Sequence, residues 1–179
     1  MNETSMQGNN IYLKPFTVEH ITDDYIAWLN DSDVNHYLES RFIIQTRETV
    51  SNFVKSFAGN KNALLFGIYL KANNLHLGNI SFSEINYQHG YGVIGLALGR
   101  KSCWGKGYSS EALKMIVTYG FNVLNLRRLE AGIYEDNIGS IKIFEKLGFH
   151  REAILRKRGY LQNSYADIFL FGLLKEEFQ

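Results

Sequence analysis

The sequence predicts an α/β (α+β) protein with a single mixed, mostly antiparallel central sheet and flanking helices. Its 179 residues are the length of about one domain. Three strand-like runs in the middle of the chain are separated by short turns, which is typical of an antiparallel meander. After Gly99 helical and extended patterns alternate, which favours crossover connections and local parallel pairing.

The N-terminal part of the chain predicts one strand and two helices. Residues 1–10 are polar and are expected to form a flexible lead-in to a domain that spans residues 11–179. Apolar residues recur at helical spacing in two later segments, so each segment is expected to bury one helix face. The predicted strand covers residues 11–16, and the predicted helices cover residues 19–29 and 47–57.

The rest of the chain predicts five strands and two helices. The meander strands cover residues 63–70, 75–85 and 90–98. They are followed by a helix over residues 109–124, a strand over 128–134, a helix over 138–147 and a strand over 165–174. Gly148 follows the second of these helices and is a typical C-terminal cap.

Composition and charge exclude several classes of protein. The net charge of +1 gives no reason to expect binding to nucleic acid or to a membrane surface. Cys103 is the one cysteine of the chain, so an internal disulfide and a cysteine-rich zinc site are excluded. The five histidines show no metal-ligand spacing, so no metal is expected. A cytoplasmic location is expected, because no signal-peptide pattern begins the chain.

The turn around Gly105 and Gly107 is the sharpest local feature. It lies between a predicted strand and a predicted helix, where glycines let the backbone approach a ligand closely. Free N–H groups of the first helical turn favour an anion such as a pyrophosphate. The nearby basic residues Arg100, Lys101 and Lys106 add positive charge.

Two nucleotide-binding motifs fit this turn poorly. A Rossmann fingerprint requires a third glycine where Ser110 stands, and a P-loop requires Ser or Thr where Gly107 follows Lys106. A glycine turn that only starts a helix remains the alternative to an anion site.

Two segments together resemble the GNAT family of acyl-CoA-dependent N-acetyltransferases. The run Trp-Gly-Lys-Gly-Tyr-Ser-Ser-Glu-Ala at 104–112 resembles motif A of that family. The run from Asn137 through Ser140 to Gly148-Phe149 resembles motif B. Residues 11–15 and 28–31 resemble the subgroup that contains ribosomal-protein N-acetyltransferases and many amino-sugar N-acetyltransferases.

The resemblance implies a GNAT fold with two splayed strands and acetyl-CoA as co-substrate. In the family the strand before motif A opens from its neighbour and pairs with the pantetheine arm, and the motif-A turn holds the pyrophosphate. The motif-B asparagine contacts the pantetheine end or a water. The matching positions here are Leu96, Ala97, Leu98, Cys103, Trp104, Gly105, Lys106, Gly107, Tyr108, Ser109 and Asn137.

Two positions depart from the family pattern. Ser102 stands where motif A usually has Gln or Arg, which removes one polar brace. Phe144 stands where a tyrosine often serves as general acid, and a phenyl ring has no proton to donate. Another group or a water must therefore protonate the leaving thiolate.

The catalytic and acceptor residues are less clearly marked. Glu84 is the leading candidate for the general base, because it lies late in the strand expected beside the cofactor strand; an exposed carboxylate at a strand end is the alternative. Tyr134 and Ser140 are further catalytic candidates. The acceptor pocket is expected to use the aromatic and polar residues Trp28, Asn30, Tyr37, Glu39 and Arg41.

Together these features predict an acetyl-CoA-dependent N-acetyltransferase that works by direct attack of a primary amine. The mixture of aromatic and polar residues favours an amino sugar or a sugar nucleotide as acceptor. A protein N-terminus as acceptor, and a non-catalytic module that binds acyl-CoA, are the alternatives.

Overall fold

A computed structural model describes residues 5–178 as one eight-stranded sheet with helices on both faces. The strands are β1 (Met6–Gln7), β2 (Ile11–Pro15), β3 (Leu64–Leu70), β4 (Leu75–Asn86), β5 (Tyr91–Leu98), β6 (Arg128–Tyr134), β7 (His150–Leu161) and β8 (Ser164–Leu174). The helices are α1 (Asp23–Asn30), α2 (Ser32–Asn35), α3 (Arg47–Lys55), α4 (Tyr108–Asn122) and α5 (Ile138–Lys146). Within this part of the chain, no helix is both long and apolar enough to cross a membrane.

The predicted mixed, mostly antiparallel sheet is confirmed. Its strand order is β1-β2-β3-β4-β5-β6-β8-β7, and among the described strands only β5 and β6 pair in parallel. The parallel pair follows from the crossover through α4. Of the predicted flexible lead-in, residues 1–4 lie outside the described residues, whereas Met6–Gln7 form β1 against β2.

The first helix begins later than its spacing predicts. A short 3-10 turn covers Val18–His20, and α1 begins at Asp23 because the side chain of Thr22 accepts a hydrogen bond from Tyr25 N. That N-terminal cap satisfies one free amide of the helix and sets its start. The chain therefore enters α1 through an additional bend.

The C-terminal strands form a hairpin that periodicity did not reveal. β7 is an edge strand whose residues are mostly exposed, so it lacks the alternation that marks a half-buried strand. Gln162 and Asn163, both with positive φ, form its turn. β8 therefore returns between β6 and β7 and pairs antiparallel with β6, which corrects the expected parallel pairing of the last strand.

The sheet buries a separate apolar cluster on each face. Leu65 and Phe66 are neighbours in β3 and point to opposite faces. Phe66 belongs to the larger cluster, which α4 covers with Leu113 and Ile116. Leu65 belongs to the smaller cluster beneath α1 and α3. The two N-terminal helices thus lie on the face opposite α4.

β5 and β6 separate after three paired positions. Tyr91, Gly92 and Val93 pair with the first three residues of β6, and no pairing follows. β5 still pairs with β4 as far as Leu98, and β6 pairs with β8 as far as Tyr134. A wedge therefore opens between β5 and β6, as the splayed-strand prediction requires.

Candidate functional site

The wedge encloses a cavity of about 160 Å³. Its walls come from the free edges of β5 and β6, from the start of α5, and from the segment that follows α2. The lining residues are Tyr37, Leu38, Ile94, Gly95, Leu96, Ala131, Gly132, Ile133, Tyr134, Asn137, Ser140 and Phe144.

The free edge of β5 presents a peptide group to this cavity. Gly99 N donates to Leu77 O at 2.9 Å. The alternation of an antiparallel ladder then directs the N–H and C=O groups of Leu96 and Leu98 toward the wedge, and those of Ala97 toward β4. Trp104 Nε1 donates to Leu98 O at 2.8 Å. The peptide groups of Leu96 therefore remain available to a ligand that lies along the wedge.

The glycine turn before α4 forms an open cradle of backbone amides. Gly105 and Gly107 have φ values of +72° and +83°, and a Cβ at either position would meet no heavy atom within 4 Å. The amides of residues 105–110 have no hydrogen-bond partner within residues 5–178. Such a run at a helix start is suited to a pyrophosphate.

The cradle begins two residues later than the sequence predicts. Cys103 N donates to Arg100 O, and Trp104 N donates to Lys101 O, so both amides are occupied in a 3-10 turn. The Cys103 side chain is buried in the core. Tyr108 and Ser109 contribute free amides at the start of α4, and the Tyr108 ring packs against the core.

The positive charge beside the cradle comes from one lysine instead of three basic residues. Arg100 pairs with Asp24 at 2.8 Å. Lys101 forms ion pairs with Asp31 at 2.7 Å and with Asp33 at 3.0 Å, where α1 is followed by α2. Lys106 has no ion-pair partner in the described part of the chain and is exposed. Lys106 is therefore the cation that is free to meet a phosphate.

Among the hydroxyl groups that line the wedge, that of Ser140 has no hydrogen-bond partner within the described residues. Tyr37 donates to Asp136 O at 3.2 Å, and the Tyr134 hydroxyl is engaged by two side chains. Ser140 Oγ has no hydrogen bond to residues 5–178, although Asn137 caps α5 by accepting from Ser140 N at 3.2 Å. Phe144 is buried against Phe149. Ser140 therefore places a hydroxyl group in the wedge, one helical turn before Phe144.

A second cavity of about 240 Å³ lies on the α1 and α3 face of the sheet. It shares Leu38, Gly95 and Leu96 with the wedge cavity, so the two spaces meet at the free edge of β5. Its walls are largely apolar, with a few polar groups. The lining residues are Tyr25, Leu29, Leu38, Glu39, Ser40, Phe53, Leu65, Asn79, Ser81, Gly95, Leu96 and Ala97.

Glu84 lies away from this junction, contrary to its predicted position. β4 and β5 are antiparallel, so a residue late in β4 is opposite a residue early in β5. Glu84 is opposite Val93, where β5 is still paired with β6, and its carboxylate accepts a 2.5 Å hydrogen bond from the Tyr91 hydroxyl. The register that sequence reasoning overlooked makes Glu84 an exposed strand-end carboxylate.

Glu39 is the carboxylate that the structure brings to the second cavity. It lies in a 3-10 turn over Glu39–Phe42, its side chain is 77% exposed, and its Oε1 accepts from the Tyr134 hydroxyl at 3.1 Å. Arg41 donates to the same hydroxyl at 2.7 Å. The end of β6 therefore holds the carboxylate at the cavity mouth.

Three of the predicted acceptor residues support the walls and do not line either cavity. Trp28 covers Gly99, where a Cβ would approach the indole ring to 2.2 Å. Asn30 makes three hydrogen bonds, to Ile26 O and to both backbone groups of Gln45. Arg41, with a side chain only 12% exposed, also donates to Leu38 O and Tyr160 O. Of the predicted set, Tyr37 lines the wedge and Glu39 lines the second cavity.

The comparisons with known proteins agree with this architecture. Residues 10–150 match the family model described as an acetyltransferase (GNAT) domain. An uncharacterized N-acetyltransferase, p20 of Bacillus licheniformis, is 38% identical over 87% of this chain and 88% of its own length.

Two solved structures share the fold. The RimL ribosomal L7/L12 alpha-N-protein acetyltransferase, in complex with coenzyme A, has a TM-score of 0.86 and 19% identity, with 96% of this chain and 98% of that chain covered. Spermidine N-acetyltransferase from Vibrio cholerae, in complex with CoA and spermine, has a TM-score of 0.82 and 17% identity, with 94% and 97% covered. The family match and the curated relative establish that the chain belongs to the GNAT family and is an acetyl-CoA-dependent N-acetyltransferase.

Proposed function

We propose that this enzyme acetylates a small primary amine, with an amino sugar as the acceptor class. This proposal rests on two cavities that share Gly95 and Leu96 in their linings. One cavity lies between the splayed strands, and the other lies on the face of the sheet that α1 and α3 cover. A thioester in the first cavity and an amine in the second would be held in attack geometry, which can lower the barrier by several kcal/mol.

The cofactor would be held along the wedge and the glycine turn. The free amides of residues 105–110 and the unpaired Lys106 suit the pyrophosphate. The free peptide groups of Leu96 suit the pantetheine arm and the thioester carbonyl, whose oxygen an N–H can polarise. Acetyl-CoA then supplies the activated acetyl group at the junction of the cavities.

The chain must also move two protons. The attacking nitrogen has to lose a proton, because an ammonium has no free electron pair, and Glu39 is the carboxylate on the lining of the second cavity. As the new N–C bond forms and the C–S bond breaks, the nitrogen loses its second proton and the departing sulfur takes one, so that an amide, free coenzyme A and one released proton result. Ser140, with its unpartnered hydroxyl in the wedge, is suited to that donation.

The size and lining of the second cavity support a small acceptor. At about 240 Å³ it lies below the ~300–1,000 Å³ typical of drug-sized ligand sites. Its apolar walls suit the face of a sugar ring, and its polar groups suit hydroxyls. A sugar nucleotide would place only its sugar in this space.

A protein N-terminus is the second candidate acceptor, and one surface feature favours it. Phe42, Ile43 and Ile44 begin three residues after Glu39 and are 54%, 60% and 82% exposed. A run of exposed apolar residues beside a site is a feature of protein-binding surfaces.

Release of free thiol from acetyl-CoA with a panel of amines separates these acceptors. Glucosamine, spermidine and a peptide with a free N-terminus are compared at equal concentration. Turnover with glucosamine far above the others supports the proposal, whereas peptide turnover with no sugar turnover assigns the protein acceptor. Absence of turnover with every amine would contradict the proposed reaction.

We predict that Glu39→Gln lowers kcat by about a hundredfold or more at neutral pH, because general-base catalysis contributes about 10²–10⁴-fold. The matched variant Glu84→Gln should keep its kcat within about twofold, because it lies at the closed end of the wedge. Steady-state kinetics from pH 6 to pH 9 measures both. Equal losses in the two variants would contradict the assignment of Glu39.

A further inference from the structure

Asn79 is a buried polar side chain that the proposed reaction does not use. It lies in the middle of β4, opposite Ala97, and only 7% of its surface is exposed. It lines the second cavity, and neither Oδ1 nor Nδ2 has a hydrogen-bond partner among residues 5–178. A buried polar group left without a partner destabilises the folded protein, so a ligand group that bonds Asn79 would be favoured.

The neighbouring histidine can satisfy at most half of this amide. His76 lies beside Asn79, but no hydrogen bond of ordinary geometry joins them. His76 Nε2 contacts Gly78 O at 2.9 Å and therefore carries the ring proton, which leaves Nδ1 as an acceptor. Nδ1 could accept from Asn79 Nδ2, yet Asn79 Oδ1 would still require a donor.

The same cavity contains a second unpartnered polar group. Ser40 Oγ is buried, lines the cavity and has no hydrogen bond in the described part of the chain. Ser40 belongs to the 3-10 turn with Glu39, whereas Asn79 belongs to the sheet, so the two groups come from different elements that bound the cavity. An acceptor with polar groups on more than one side would satisfy both.

The position of Asn79 separates it from the reacting nitrogen. Neighbouring strands lie ~4.8 Å apart, and β5 stands between β4 and the wedge. Asn79 is therefore about two strand spacings, roughly 10 Å, from the line of the wedge. The group that it meets is several bonds away from the amine.

We propose that Asn79 determines acceptor specificity by hydrogen bonding a hydroxyl or amide N–H of the acceptor, several bonds from the amine that is acetylated. This inference rests on the proposed function and narrows it to amines that carry such a donor, as an amino sugar does. A site built to bond a hydroxyl discriminates against an analogue that lacks it, because the buried polar group is then left unpaired.

Two amines that differ by one hydroxyl test this proposal. Calorimetry measures how trans-4-aminocyclohexanol and cyclohexylamine bind to the complex of enzyme and coenzyme A. Both carry the same ring and ammonium, so the difference in affinity isolates the hydroxyl. We expect the hydroxylated amine to bind about tenfold more tightly, the effect of one net hydrogen bond.

The tighter binding of trans-4-aminocyclohexanol over cyclohexylamine should disappear in Asn79→Leu and in Asn79→Ala. It should persist in the control Asn52→Leu, on the exposed side of α3. Melting temperature and coenzyme A affinity establish that each variant is folded; the smaller Ala variant serves if Leu is not accommodated. Equal affinity for the two amines in the parent enzyme, or a preference that survives both Asn79 variants, overturns the proposal.

Thiol release with the same amines separates this inference from the proposed function. A hydroxyl preference that depends on Asn79, without acetylation of any amine, supports the specificity site and contradicts the reaction. Acetylation of both amines with equal kcat/KM supports the reaction and contradicts the specificity site.

Discussion

Gly107 shows how one residue shapes the turn of free amides before α4. Its φ of +83° lies in the region that residues with a side chain rarely adopt, and the space above it is open. The turn therefore brings successive amides to one place without a side chain in front of them. The sequence pattern predicted the tight turn at this glycine, because its conformational requirement is local.

We predict that Gly107→Ala weakens coenzyme A binding by about tenfold or more, since the added methyl group occupies the space over the amides and strains the turn by about 1 kcal/mol. Gly59→Ala is a matched control, because Gly59 also has positive φ and open space but lies in the turn after α3. Calorimetry with coenzyme A measures both variants. An equal loss of coenzyme A affinity in Gly59→Ala would show that backbone strain alone causes the effect, and would contradict the role of the open space at Gly107.

We predict different effects on coenzyme A affinity for substitutions of Lys106 and Lys101, although the two residues are close in the sequence. Lys106→Ala should reduce coenzyme A affinity by about tenfold, the effect of one charge-assisted hydrogen bond. Lys101→Ala should leave that affinity within about twofold, because Lys101 is already paired with Asp31 and Asp33. Binding at low and high salt is the measurement, and a stronger effect of Lys101→Ala would contradict the assignment.

At the scale of elements, Glu111 attaches the turn between β1 and β2, and the start of β2, to helix α4. Its carboxylate accepts from Asn10 N at 2.8 Å, from Asn10 Nδ2 at 3.1 Å and from Ile11 N at 3.3 Å. Gly8 passes so close that a Cβ there would lie 2.3 Å from Glu111 Oε1. The motif-A glutamate thus has a structural role that its motif position does not reveal.

We predict that Glu111→Gln lowers the free energy of unfolding by about 1–2 kcal/mol, because an amide NH2 would face the Asn10 donor. Urea unfolding measures this loss, and Glu145→Gln on the exposed side of α5 is the control. No change in stability relative to that control would contradict the role of Glu111 in holding the turn between β1 and β2.

The pH dependence of this contact follows from the pKa of Glu111. Burial raises that pKa, but the hydrogen bonds from Asn10 and Ile11 outweigh burial and hold it below its ordinary value. The contact therefore stabilises the fold above the ordinary pKa of a glutamate, and this stabilisation is lost as the pH falls through the lowered value.

At the scale of the whole molecule, the buried side chain of His76 makes folding stability depend on pH. It is enclosed by the rings of Phe16, Tyr25, Trp28 and Tyr69. Burial lowers the pKa of His76 to about 4 from an ordinary value of 6.5, and Arg100 and His20 act in the same direction. The folded protein therefore holds this histidine neutral at pH 7.

We predict that folding stability falls between about pH 6.5 and pH 4 as the unfolded chain takes up a proton at His76 that the folded chain does not. The loss attributable to this group is at most about 3 kcal/mol. Urea titrations across this range should show a smaller slope for His76→Phe than for the parent. Identical slopes would contradict the neutral, buried state of His76.

Local patterns were sufficient for the main elements of this fold and for part of the site. The spacing of apolar residues and the glycine turn predicted α4, α5 and most strands, because helix caps and strand alternation depend on neighbours in the chain. Asn137 and Ser140 were named through their motif, and both line the wedge cavity. Asn79 was missed; its one local signal is a polar residue within the buried stretch of β4.

The sequence by itself determined the mixed sheet, the family and the amide turn before α4, since each depends on residues close together in the chain. The tertiary structure alone decided which carboxylate lines the second cavity and which lysine near the turn has no ion pair among residues 5–178. Glu84 is excluded by antiparallel register, Lys101 by ion pairs with the α1–α2 corner, and Glu39 is selected by a hydrogen bond from the distant Tyr134. These outcomes depend on contacts between segments far apart in the chain, which local patterns do not specify.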